Sequence, residues 1–257
     1  MSCNKFNDKG YYIQYLDDDS FKNFDKLIKD EFNEICCGYC NCDIQDVSDI
    51  AKVFLKRVTS HSVDDNRRGI GFVGELIYYV FAKHKFPFLR ALNPLLNTEE
   101  NNFKKGFDML SEADNEIWYS EVKSGEYKMI SSKSINALNI EKLDLAYADL
   151  NEKLDGNNRN TNYWITAKLK VRLCLEEKEE INKIAKLLDS DMKSEHIKNK
   201  IIVSVIFGKS SEEISETKVT DKLKRIRIND EKVIIVCIRE NTLRRTLSII
   251  EELSNNE

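Results

Sequence analysis

Proline is nearly missing from this chain and glycine is scarce, with two and nine residues in 257. Little of the chain can therefore be flexible or extended linker. No apolar run approaches membrane-spanning length, and the first ten residues lack the hydrophobic core of a signal peptide. The expectation is a cytoplasmic protein with no membrane partner. There is no glycine-rich phosphate loop and no nucleotide fingerprint, which removes the usual support for an enzyme of small phosphorylated molecules. A second Cys-x-x-Cys is also lacking. Cys36, Cys37, Cys40 and Cys42 fall within seven residues, but structural zinc sites draw a second ligand pair from elsewhere in the chain. The nearest histidine is His61, and the adjacency of Cys36 and Cys37 is awkward for one tetrahedral ion. The expectation is reduced thiols without zinc, with Cys3, Cys174 and Cys237 as isolated thiols.

An excess of positive charge is missing as well. The net charge is −4, whereas a protein that grips a nucleic-acid duplex unaided normally displays a basic surface. Residues 1–50 carry eleven Asp/Glu against five Lys, and the remainder carries 35 Lys/Arg against 33 Asp/Glu. Basic character is local, at Lys104-Lys105 and from Lys222 to Arg227, the latter read as a strand or amphipathic edge. Three readings stay open: a partner that holds the nucleic acid, docking through the acidic front segment, or a solvated acidic surface.

The most informative stretch present is Glu121-Val122-Lys123, at the end of the apolar run Ile117-Trp118-Tyr119-Ser120. As a strand, Ile117, Tyr119, Glu121 and Lys123 share one face and Trp118, Ser120 and Val122 the other. Large apolar groups on both faces predict a strand interior to a sheet. A carboxylate and an ammonium at the end of such a strand are costly unless something pairs with them. A divalent cation and a phosphate would do so.

Lys105 to Leu110 reads as a second short strand, joined to the first through a loop from Ser111 to Asn115. That hairpin sets Asp108 opposite or diagonal to Tyr119 and Glu121. Upstream, Glu75 is a lone carboxylate in a helical segment with Ile70, Val73, Ile77, Val80 and Phe81 on its core face. Gly71 and Gly74 predict close approach of that helix to another element. Glu75, Asp108, Glu121 and Lys123 could thus converge. Against this stand a surface ion pair at Glu121 and Lys123, and a Glu75 paired with Arg67 or Arg68. Tyr78-Tyr79 reads as core packing.

Helices are expected near 20–35, 48–60, 129–154, 176–188 and 241–253, and buried strands at Lys200 to Phe207 and Lys232 to Ile238. The stretch from Tyr163 to Leu169 fits a helix or a strand. The order implies an α/β protein with a mixed central sheet flanked by helices. It divides into an acidic, mostly helical extension over residues 1–60, suited to docking a partner, and a main domain over 61–257.

An acid on a helix, an Asp at a strand start and Glu-x-Lys on the next strand together resemble the PD-(D/E)XK, restriction-endonuclease-like nucleases. Arg68 to Glu75, Lys105 to Asp108 and Trp118 to Lys123 more narrowly resemble the HamA family, the nuclease-like subunit of the Hachiman anti-phage defence system. Phe107 replaces the proline of the superfamily motif. The resemblance implies a restriction-endonuclease-like core and a DNA-cleaving effector held by a HamB-like helicase. It implies Mg²⁺ or Mn²⁺ on Asp108, Glu121, the Val122 carbonyl and Glu75, with Lys123 acting on the attacking water. A catalytically inactive adaptor on the same fold is the alternative.

Overall fold

The computed structural model describes residues 5–16, 23–59, 66–96, 106–129, 133–155, 161–194, 198–230, 232–241 and 243–255. The expectations for His61, Cys3 and Lys104-Lys105 lie outside those residues, as do the side chains of Arg67 and Arg68.

The elements run β1 (Tyr11–Tyr15), α1 (Phe24–Cys37), a 3-10 turn (Tyr39–Ile44), α2 (Val47–Thr59), α3 (Asn66–Lys85), β2 (Arg90–Ala91), β3 (Met109–Ala113) and β4 (Glu116–Glu126). They continue with α4 (Ile135–Leu154), α5 (Thr161–Val171), α6 (Lys178–Lys193), β5 (Asn199–Phe207), α7 (Glu216–Arg227), β6 (Val233–Glu240) and α8 (Leu243–Asn255). The result is a mixed α/β fold. Its six strands are ordered β1-β6-β5-β4-β3-β2. From β1 to β4 all neighbours are parallel, and β3 and β2 add antiparallel to that edge.

The apolar composition of β5 and β6 follows from this order. Both are central, parallel and covered on two faces, so nearly every side chain is buried. One face carries α1, α2, α3 and α8 over a core that includes Phe32, Phe54, Val73, Ile77 and Val203. The other carries α4, α5, α6 and α7 over Tyr119, Leu143, Leu150, Ile202 and Ile235. The first sixty residues take part in this packing: β1 pairs with β6, and Phe32 and Phe54 join the first core.

Strand β4 alternates as expected. Ile117 and Tyr119 belong to the α4 side, Trp118 and Val122 to the α3 side. The hairpin loop is tighter than expected. Ser111 to Ala113 remain in β3, and the turn is Asp114-Asn115 alone, both at positive φ (53° and 63°). That is the two-residue geometry matching strand twist, and Asp and Asn tolerate it.

Four other expectations are corrected or resolved. Lys222 to Arg227 lies in α7 and is not a strand: Val219, Leu223 and Ile226 recur at three- and four-residue spacing and are buried. Tyr163 to Leu169 is helical, within α5. Gly74 does make a close approach, since a Cβ there would meet the Ser124 side chain of β4, but Gly71 faces open space. The long helix expected from 129 begins at Ile135, where the Ser134 hydroxyl accepts the Ala137 N–H at 3.1 Å.

Candidate active site

The register of the hairpin positions the first acid. Met109 pairs with Ser120, so Asp108 is the next residue outward on its strand and Glu121 the next on β4. Asp108 no longer belongs to the ladder. Its side chain replaces the missing backbone partner: Oδ2 accepts the Val122 N–H at 2.9 Å. The Asp108 carbonyl accepts from the Tyr79 hydroxyl at 3.0 Å and the Asn93 amide at 3.2 Å. Asn93 Oδ1 in turn accepts the Leu110 N–H at 2.6 Å. Phe107, at the motif's proline position, is buried against Tyr119 and Trp164, with ring centroids 4.8 and 5.4 Å away. Backbone and side chain of Asp108 are thus held from three directions.

Glu121 and Lys123 project to the α4 side, two residues apart on one face. Lys123 Nζ donates to Glu121 Oε1 at 3.0 Å and to Asp149 Oδ2 at 2.5 Å. Two residues that the sequence reading missed complete the group. Lys153, one helical turn after Asp149 on α4, donates to Glu121 Oε2 and stands 3.9 Å from Asp108 Oδ1. Asp149 and Lys153 are four apart and flank the buried stripe Leu143, Ala146, Leu150 and Leu154. Helical charges beside such a stripe ordinarily meet solvent, so nothing local marked these two.

The electrostatics follow from burial. Glu121 is only 1% exposed. Burial and the neighbouring Asp108 charge raise its carboxyl to about 7, against the pull of Lys153 and Lys123. For both lysines burial opposes the charge, but the surrounding carboxylates outweigh it and hold the ammonium groups above their ordinary value. Burial is what raises the glutamate, whereas the surrounding carboxylates raise the two lysines, which therefore stay protonated.

Glu75 is buried in the middle of α3, one turn before Tyr79. Burial pushes the Tyr79 phenol well up, with Cys174, Glu75 and Asp108 adding to it. Helix α3, however, covers the opposite face of β4, where Tyr78 and Ser120 hydroxyls meet at 2.9 Å. Among the described residues no three His, Cys, Asp or Glu form a group able to hold a metal ion. Asp108, Glu121 and Lys123 come together with Lys153 and Asp149; Glu75 stands on α3, one turn before the Tyr79 whose hydroxyl reaches the Asp108 carbonyl.

The donor set nonetheless fits a hard divalent cation. It offers two carboxylates, and a strand residue's N–H and C=O point to the same neighbour, so the Val122 carbonyl faces the Asp108 side. Oxygen donors of this kind suit Mg²⁺ or Mn²⁺. The space between the carboxylates already holds a cation, the Lys153 ammonium, which is the direct sign that it stabilises positive charge.

Other polar and cysteine side chains lie apart from this cluster. Tyr78 and Tyr79 are core residues with their hydroxyls satisfied. His84 ends α3 and contacts Glu31. Glu126 and Lys128 form a 3.3 Å surface pair. Cys174 is not isolated: it lies against the turn at Gly38, near Cys40. Burial raises the thiols of Cys36, Cys37, Cys40 and Cys42. A cavity of about 750 Å³ lies beside the hairpin. It shares Tyr79 and Asn93 with the Asp108 support but contains neither Asp108 nor Glu121. No helix among the described residues is long and apolar enough to cross a membrane.

Neither a search of curated proteins nor a search of solved structures returned a match. The family model for HamA matches residues 3–250, nearly the whole chain and every element carrying the site. The chain belongs to the HamA family.

Proposed function

We propose that this chain is a metal-dependent nuclease with a restriction-endonuclease-like core, cleaving phosphodiester bonds of DNA with Mg²⁺ or Mn²⁺. HamA membership points to the Hachiman defence system, and there the chain acts as the effector with a HamB-like helicase as partner. The observation that carries this reading is the convergence of Asp108, Glu121 and Lys123 where β3 ends and β4 continues.

Asp108 and Glu121, with the Val122 carbonyl, would hold the ion. When bound, it supplies a Lewis acid for the phosphoryl oxygen and a more acidic water. Lys123 is held as an ammonium by its three acidic neighbours. It orients or deprotonates the attacking water and neutralises charge building on the phosphate. Tyr79 and Asn93 fix the Asp108 backbone. Glu75 is assigned to a water or a second ion entering from the α3 side. The modest net charge of −4 accords with a helicase, and not this chain, gripping most of the DNA.

A non-catalytic adaptor is the second reading, and one observation favours it: lysines already neutralise both carboxylates. Plasmid cleavage by the purified chain with its helicase partner, Mg²⁺ and ATP separates the two. Cleavage lost in Asp108→Ala, Glu121→Ala and Lys123→Ala supports the nuclease. Wild-type rates in any of the three would overturn the site assignment, and no cleavage by the wild type would favour the adaptor.

A further inference from the structure

Lys153 belongs to the cluster, yet the proposed chemistry does not use it. Its side chain is 12% exposed, and it reaches the group from the last turn of α4, not from the hairpin. Its ammonium contacts Glu121 Oε2 and stands 3.9 Å from Asp108 Oδ1. It thereby bridges the two carboxylates assigned to the ion, leaving Lys123 on the other oxygen of Glu121 and on Asp149. A divalent cation and this ammonium cannot share that space: at contact distance in a partly desolvated site, like charges repel strongly.

We propose that Lys153 is a tethered competitor for the metal seat, so that binding of a divalent cation at Asp108 and Glu121 requires withdrawal of the Lys153 ammonium. This rests on the nuclease reading for the identity of the seat. The side chain has somewhere to go. Nζ already lies 6.0 Å from the Tyr163 ring centroid at the start of α5, a cation–π contact that can tighten as the ammonium leaves the carboxylates, and a lysine stem permits that movement without moving α4. The restraint is intrinsic to the chain: the site holds its own counter-charge at rest, and metal occupancy is suppressed until the ion concentration, or a partner that moves α4 or α5, favours exchange. Lys123 cannot take the same part, because Asp149 anchors it outside the seat.

The test is Mn²⁺ binding to the full-length chain, followed by electron paramagnetic resonance, in wild type, Lys153→Met, Lys153→Gln and Asp108→Ala. The glutamine keeps a donor toward Glu121 and guards against a methionine variant that fails to fold, with circular dichroism reporting folding. We expect Mn²⁺ to bind the Lys153 variants at least about tenfold more tightly than wild type, with Asp108→Ala abolishing that binding. A second readout uses wild type alone: labelling of Lys153 by an amine-reactive reagent, read by mass spectrometry, should rise at least about threefold on adding Mn²⁺ while Lys222 is unchanged. Mn²⁺ binding that depends on Asp108 but is equal in wild type and the Lys153 variants, with constant Lys153 labelling, overturns the competitor and leaves the metal site standing. No Asp108-dependent binding in any variant overturns both.

Discussion

The two faces of β4 are built from the same eleven residues in strict alternation, yet they meet their covering helices in opposite ways. Toward α3 the strand offers Ser120, Val122 and Ser124 and is approached closely. Gly74 leaves no room for a Cβ against Ser124, and the Tyr78–Ser120 hydrogen bond is neutral and fully buried. Toward α4 it offers Glu121 and Lys123, and the helix answers with Asp149 and Lys153. The first face is rigid because close packing tolerates no displacement. The second holds charges whose pairing is exchangeable and whose desolvation is incompletely repaid. Precise support on one side is what allows an electrostatically costly cluster on the other.

The comparison breaks first on activity. Asp108→Ala, Glu121→Ala or Lys123→Ala should lower cleavage by the complex by roughly 10³-fold or more. Tyr78→Phe on the opposite face should change it by no more than about threefold. An equal loss from Tyr78→Phe in the same plasmid assay would erase the distinction between the faces.

Packing supplies the next contrast, in two glycines one turn apart. Gly74→Ala should cost about 1–3 kcal/mol in urea unfolding, because the new methyl meets Ser124. Gly71→Ala, with nothing near the added carbon, should gain about 0.5–1 kcal/mol from helix propensity. Equal effects at both positions would refute the close approach.

Titration sharpens the charged side. The Glu121 carboxyl is raised from 4.5 to about 7 in the folded chain. Between those values the folded state holds a proton that the unfolded state has lost, so stability falls as pH rises through this window. The expected loss is on the order of 2 kcal/mol. In chelator, Glu121→Gln should lack that slope when denaturation midpoints at pH 5 and pH 8 are compared. The raised lysines keep their charge throughout this range. A wild type with a flat profile relative to the variant would contradict the shift.

The smallest effect is expected from the neutral hydrogen bond. Tyr78→Phe should destabilise by about 1 kcal/mol, the cost of leaving the buried Ser120 hydroxyl with one partner fewer. A thermal melt unchanged by the substitution would mean that Ser120 finds another hydrogen-bond partner.

Much of this arrangement could be read along the chain, because alternation and helical spacing are local properties. The faces of β4, the two buried strands β5 and β6 and the core stripe of α3 follow from periods of two and 3.6, whereas the rung shared by Asp108 and Glu121 was fixed by the two-residue turn that the chain left open. Lys222 to Arg227 misled because alternating charge and apolar residues over six positions satisfy a strand; only burial at Val219, Leu223 and Ile226 identifies the helix. Gly71 and Gly74 are indistinguishable in sequence, and what distinguishes them is a serine fifty residues away.

The sequence by itself determined the elements and the hairpin that brings Asp108 beside Glu121, since both depend on neighbours in the chain. Only the tertiary structure decided which helix faces which side of β4. That choice put α3 against the Ser120 and Ser124 face of β4 and put Lys153 between the two carboxylates. Charge pairing across thirty residues is set by how layers pack, and a lysine on a helix carries no local mark of the strand it will meet.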